Sequence, residues 1–173
     1  MKTLILGGVR SGKSRLAETL ANQSGLPVCY IATATAGDDE MRQRIEDHRM
    51  RRPTSWTVVE EPYALSEVLH RHAVSDHCII VECLTLWLTN LLVVGDEGRF
   101  THERDALIDT LPKLPGAIIL VGNEAGLGII PLGELTRRFC DEAGWLHQEL
   151  AQHCDRVILT VAGLPLTLKG EPL

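Results

Sequence analysis

The chain opens MKTLILGGVRSGKSRLAETL (residues 1–20), and this stretch decides the fold. Residues 2–6, KTLIL, are a short apolar run of the kind that makes a buried strand. Residues 14–23 put Leu16, Leu20 and Ala21 at helical spacing. Between them GGVRSGKS fits G-x-x-x-x-G-K-[ST]. The motif alone recurs by chance, but here it follows a strand and opens a helix, as phosphate binding requires. Glycines let the backbone wrap an anion without Cβ clashes. Successive N–H groups and the helix N-terminus then face that anion. Gly7, Gly8, Val9, Arg10, Ser11, Gly12, Lys13 and Ser14 are the candidate cradle. Lys13 can bridge terminal phosphates, and Ser14 can ligate Mg²⁺ through its hydroxyl. The plainer alternative is a strand–turn–helix that merely caps well.

The rhythm continues outward. Apolar strands are expected at 27–33, 57–61, 77–82, 117–122 and 155–161. Amphipathic helices are expected from Asp38, over 64–72, around 103–112 and over 133–153. Near-continuous apolar strands alternating with helices indicate an α/β fold, a mostly parallel sheet with helices on both faces. The end, AGLPLTLK (162–169), reads as a turn into a last, antiparallel strand, which makes six or seven strands. VVGDEGRFTHE (93–103) breaks the pattern and reads as an exposed loop. There are no internal repeats. A length of 173 residues indicates one domain over 1–173, large enough to bury roughly 70% of its unfolded surface.

Composition narrows the function. A net charge of −6 argues against nucleic acid as a partner of the whole molecule, so any anion site is local. The five cysteines (29, 78, 83, 140, 154) are scattered without a C-x-x-C, and His147, His153 and Cys154 do not close a zinc pattern. Reduced, mostly buried thiols are the expectation. MKTLILGG is too short for a signal peptide, and no run of 18 apolar residues exists to span a membrane. The cytoplasm is the simplest address.

Other strand ends add chemistry. Glu82, at the end of IIVE, is the expected acidic partner of the loop; it can hold Mg²⁺ or act as a base, or else cap the next helix. Asn123 and Glu124 follow another strand end, where open parallel sheets bind ligands, although a plain turn fits them equally. No N-K-x-D is present to read a guanine base as regulatory GTPases do, and motor ATPases are larger. A small-molecule kinase or nucleotidyltransferase is the best class.

The segment DDEMRQRIEDHRMRRP (38–53) predicts a helix that stops before Pro53. Its acids at the start and arginines at the end suit the helix dipole, at ~0.3–1 kcal/mol each. Met41, Ile45 and His48 share one stripe, so His48 reads first as a packed boundary histidine. Arg49, Arg51 and Arg52 project elsewhere and can grip phosphate as forks.

Four segments together carry a resemblance: LGGVRSGKSRLAE, YIATATAGDDEMRQRIEDHRMRRPTSWTVVEEP, IIVECLTLWLTNLL, and VGNEAGLGIIPLGELTRRFCDEAGWLHQELAQHCDRVILTVAGLPLTLK. They resemble the bifunctional adenosylcobinamide kinase/adenosylcobinamide-phosphate guanylyltransferase family, in order and over nearly the whole chain. The run D-D-E-M-x-x-R-I-x-x-H is its most specific part. The resemblance implies a P-loop, RecA-like fold and a homotrimer. It implies phosphorylation of the aminopropanol hydroxyl of adenosylcobinamide by ATP or GTP, then transfer of GMP from GTP to that phosphate through a histidine. The matching histidine is His48. Ala32, Thr33, Ala34, Arg49, Met50, Arg51, Arg52, Glu60 and Glu82 match nucleotide-site positions, and Mg²⁺ is expected at Ser14 and Glu82. Two departures are mild: Val9 stands where alanine is frequent, and Gly122 where a hydroxyl residue is common. A regulatory nucleotide-binding module and a kinase-only relative are the alternatives.

Overall fold

The computed structural model describes residues 1–35, 37, 39, 42, 43, 46, 50 and 52–172. Of the expected helix from Asp38, the described residues Asp39, Arg42, Gln43, Glu46 and Met50 are helical. His48, Arg49, Arg51 and the stripe residues Met41 and Ile45 lie outside the described residues.

Seven strands form one sheet: β1 (Lys2–Gly7), β2 (Val28–Ala32), β3 (Thr57–Glu60), β4 (Cys78–Glu82), β5 (Ala117–Asn123), β6 (Arg156–Val161) and β7 (Leu164–Lys169). Their order is β3-β2-β4-β5-β1-β6-β7. All neighbours are parallel except β6 and β7. Five α-helices lie wholly among the described residues: α1 (Lys13–Gln23), α2 (Leu65–His72), α3 (Leu84–Val94), α4 (Glu97–Thr110) and α5 (Glu134–His153).

Alternation along the strands explains the layers. Ile5, Tyr30, Ile80, Ile119 and Ile158 pack with Ala17 and Ala21 of α1 on one face. Leu4, Leu6, Ile31, Ile79 and Leu120 face the other way, into a larger core with Trp87, Leu88, Leu107, Leu146 and Leu150. A strand covered on both faces has no polar side to show, hence the unbroken apolar runs of the central strands. The alanines of α1 are fully buried and let that helix lie close to the sheet. Strand β7 is an exposed edge, and its Pro165 and Lys169 are residues that discourage further strand pairing.

The exposed loop expected over 93–103 is instead mostly helix. Helix α3 ends on Gly95 in the left-handed conformation, φ 73°. Asp96 then caps α4, its carboxylate accepting from the Arg99 N–H at 3.0 Å. Phe100 is 2% exposed, so the segment is docked. A single buried aromatic among charged residues leaves too faint a period to read, and the glycines at 95 and 98 mimic a loop.

Candidate nucleotide site

The carboxyl ends of the parallel strands line up along one rim. Ala32 pairs with Glu60 on one side and Glu82 on the other. Gly7 pairs with Asn123. Four of the sequence-predicted groups, the loop, Ala32, Glu60 and Glu82, therefore lie along one rim, with Glu60 on edge strand β3 and three strands between it and β1.

The loop between β1 and α1 has the form of an anion cradle. Gly12 stands at the helix start with φ 102°, and α1 has neither a capping side chain nor an acid in its first turn. Its first N–H groups and the dipole remain directed at the loop, the arrangement that favours a phosphate. Lys13 is 7% exposed and donates from Nζ to Gly8 O at 2.7 Å. Burial pulls its pKa down, while Glu82 and Cys83 oppose that pull. Val9 and Arg10 form the exposed crest of the loop.

Ser14 Oγ donates to Glu82 Oε1 at 2.8 Å. The acid thus meets the loop; helix α3 starts on Cys83 without any side-chain cap, so the capping alternative for Glu82 does not describe this chain. Burial lifts the Glu82 carboxyl to about 7, against the Ser14 hydrogen bond and the Lys13 charge. Arg52 adds a further positive charge acting on Glu82, and its guanidinium lies 4.0 Å over the Tyr30 ring. Tyr30 stacks on Trp56 with ring centroids 6.4 Å apart. Met50 is 75% exposed and Glu60 is exposed.

Thr33 ties two of the rim's turns together. It is fully buried, and its hydroxyl donates to Cys83 O and accepts from Cys83 N, each at 2.8 Å. Asn90 Nδ2 donates to Thr33 O at 2.8 Å and to Pro62 O at 3.2 Å. These bonds set the turns after β2 and β4 and so hold Ala34 and Glu82 at the rim. Asn123 N donates to the Thr85 hydroxyl at 2.7 Å, and Glu124 N to Gly7 O at 3.0 Å, which ties the turn after β5 to the loop. A Cβ on Gly122 would stand 2.9 Å from His147 Nε2, so the ring of His147 fills the space a hydroxyl side chain would take there.

Sequence reading missed the back of the cradle. Thr160 Oγ1 donates to Leu6 O at 3.1 Å and lies 2.9 Å from Ser11 Oγ. Gly163 N donates to Ser11 O at 2.9 Å, and a Cβ on Gly12 would come within 3.2 Å of Gly163 Cα. No local motif marks Thr160, Gly163, Thr85 or Asn90; their roles exist only once distant strands are paired.

The geometry is that of a P-loop nucleotide-binding fold, and comparison with solved structures agrees. The RadB recombinase superposes with a TM-score of 0.54 over 91% of this chain and 73% of its own, at 16% identity. The ATPase EscN of the enteropathogenic E. coli type III secretion system gives 0.54 over 92% of this chain and 41% of its own, at 14% identity. Such distant likeness fixes the fold alone. Sequence relatives go further. The bifunctional adenosylcobalamin biosynthesis protein CobP of Pseudomonas aeruginosa is 62% identical over the whole of both chains. CobU of Escherichia coli, of the same description, is 40% identical over 98% of this chain and 100% of its own. The family described as cobinamide kinase / cobinamide phosphate guanyltransferase matches residues 3–168, and the chain belongs to it.

Proposed function

We propose that this chain performs both reactions of its family, phosphorylating the aminopropanol hydroxyl of adenosylcobinamide with ATP or GTP and then moving GMP from GTP onto the new phosphate through His48. The observation that carries the kinase half is the meeting of Lys13, Ser14 and Glu82 at one rim, with Ser14 Oγ 2.8 Å from Glu82 Oε1. The loop aligns the transferred phosphoryl group, and Lys13 offsets charge on its oxygens, which is most of what phosphoryl transfer asks of a protein. Ser14 and Glu82 offer hard oxygens of the kind Mg²⁺ prefers. Bound there, the ion supplies further neutralisation of the phosphate oxygens.

The transferase half rests on the D-D-E-M-x-x-R-I-x-x-H match. A neutral imidazole nitrogen attacks the α-phosphorus of GTP, a phosphorus–nitrogen bond forms, and the bond to the leaving pyrophosphate breaks. A phosphate oxygen of adenosylcobinamide phosphate then attacks the same phosphorus, and the histidine leaves. Arg49, Arg51 and Arg52 stabilise the charge on the phosphoryl oxygens. A cytoplasmic homotrimer is the form we assign by resemblance; no helix of the described residues is long and apolar enough to cross a membrane.

Incubation with α-labelled GTP and Mg²⁺ tests this reading. The protein should take up label without corrinoid and release pyrophosphate. The adduct should be acid-labile and base-stable, and adenosylcobinamide phosphate should discharge it. His48→Ala should lose the label and keep part of the kinase activity, since the cradle is untouched. Label that persists in His48→Ala, or that maps to His102 or His147, refutes the assignment.

A further inference from the structure

Immediately beyond β5 the chain runs AGLGIIPLG (125–133), without a charged residue. Its large side chains face water: Leu127 is 78% exposed, Ile129 96%, Ile130 77% and Leu132 98%, with Leu135 of α5 at 54%. Exposed apolar residues scattered singly are ordinary, but this many in one run form a surface that calls for a partner.

The run is fastened rather than loose. At its root Glu124 N donates to Gly7 O at 3.0 Å, and Glu124 Oε1 accepts from Gly126 N at 2.8 Å. Cys140 Sγ donates to Ala125 O at 3.8 Å. At the far end the Arg137 guanidinium donates to Pro131 O at 3.2 Å and also to Leu132 O. With its backbone held at both ends, the segment presents its side chains as a shelf. The shelf starts beside the phosphate cradle, because three residues of chain reach at most roughly 11 Å and Leu127 is three residues past Glu124.

We infer that this shelf, centred on Leu127, Ile129, Ile130 and Leu132, is where the corrin ring of adenosylcobinamide docks. The inference rests on the proposed kinase reading, which puts the phosphoryl group in the cradle and the accepting hydroxyl next to it. In cobinamide that hydroxyl ends a flexible amide arm, roughly 8 Å from the ring when extended. The macrocycle therefore has to rest about one arm's length from the cradle, on a surface suited to its ring methyls and uncharged amides. Leu127, at the root of the shelf, lies within roughly 11 Å of Glu124 along the chain, and the exposed apolar side chains that follow it have that character.

The test is equilibrium binding of adenosylcobinamide, followed by its visible absorbance, to the full chain and to Ile129→Ser/Ile130→Ser and Leu132→Ser. The corrinoid Kd should rise at least tenfold in both variants. GTP affinity, α-label uptake and sedimentation mass should stay as in the parent, which also certifies that the variants are folded. Val74→Ser, an exposed site at the amino end of the sheet, should change none of these. An unchanged corrinoid Kd in the shelf variants overturns the inference. So does a rise that accompanies a fall in sedimentation mass, because the shelf is then a contact between copies of the chain. A parent protein that binds no adenosylcobinamide overturns the functional reading itself, and the shelf with it, whereas parent binding that survives shelf substitution overturns the shelf alone.

Discussion

Glu82 is held in a setting that opposes its charge. Burial raises its carboxyl from 4.5 to about 7, and among the described residues the Ser14 hydroxyl and the charges of Lys13 and Arg52 pull the other way. A carboxyl whose pKa is raised on folding contributes stability that is fully present below its unfolded value. That contribution fades from about pH 4.5 and is gone above about pH 7. Glu82→Gln keeps an acceptor for Ser14 and removes the charge. It should therefore stabilise the ligand-free protein by on the order of 1–2 kcal/mol at pH 8, below the full shift because the rim meets water. At pH 4.5 the gain should shrink towards zero, and kinase activity should fall at least about tenfold at any pH. Urea midpoints at the two pH values decide it; a gap independent of pH would show that Glu82 is not the strained group. This residue was legible in the sequence, because an acid that ends a buried apolar strand stands out against its neighbours. His48 lies outside the described residues, and the role proposed for it rests on its motif, since the apolar stripe of its segment points to packing rather than chemistry.

Helix α4 depends on a short start signal. Asp96 accepts from Arg99 N at 3.0 Å and so satisfies one of the first free N–H groups. Asp96→Ala should cost about 1 kcal/mol, read as a lowered urea midpoint with an unchanged slope, and leave GTP binding intact. A loss under a few tenths would mean that the buried side chains Phe100 and Leu107, 2% and 0% exposed, pin the helix without the cap. The central strands were readable for a simple reason. Burial on both faces makes them apolar without a break, and the two core faces then follow from alternation. Helix α4 was not readable, because its contact with the core is narrow and its outward side is charged. The pairing Arg138–Glu97, which crosses from α5 to α4 at 2.5 Å, depends on residues 41 apart, and no local pattern announces it.

The ends of the chain meet behind the cradle. Strand β1 leads into the phosphate loop near the start, and β6, near the end, supports that loop through Thr160. The hydroxyl of Thr160 donates to Leu6 O at 3.1 Å and lies 2.9 Å from Ser11 Oγ, while the residue is 1% exposed. A Cβ on Gly7 would lie 2.4 Å from Thr160 Oγ1, so the glycine and the threonine fit as a pair. The last parallel strand thus braces the loop from behind, so the cradle draws on residues from both β1 and β6. Thr160→Val keeps the side-chain shape and removes the hydroxyl, leaving Leu6 O and Ser11 Oγ buried without it. Stability should fall by about 1–3 kcal/mol. GTP affinity should weaken roughly fivefold, the equivalent of about 1 kcal/mol, as the Ser11 side of the cradle loses its brace. Thr160→Ser, which restores the hydroxyl, should recover most of both. Denaturant melts and GTP titrations on the two variants separate the cases. If Thr160→Val loses stability and still binds GTP as the parent does, Thr160 is a core threonine only, and the loop keeps its shape without support from β6.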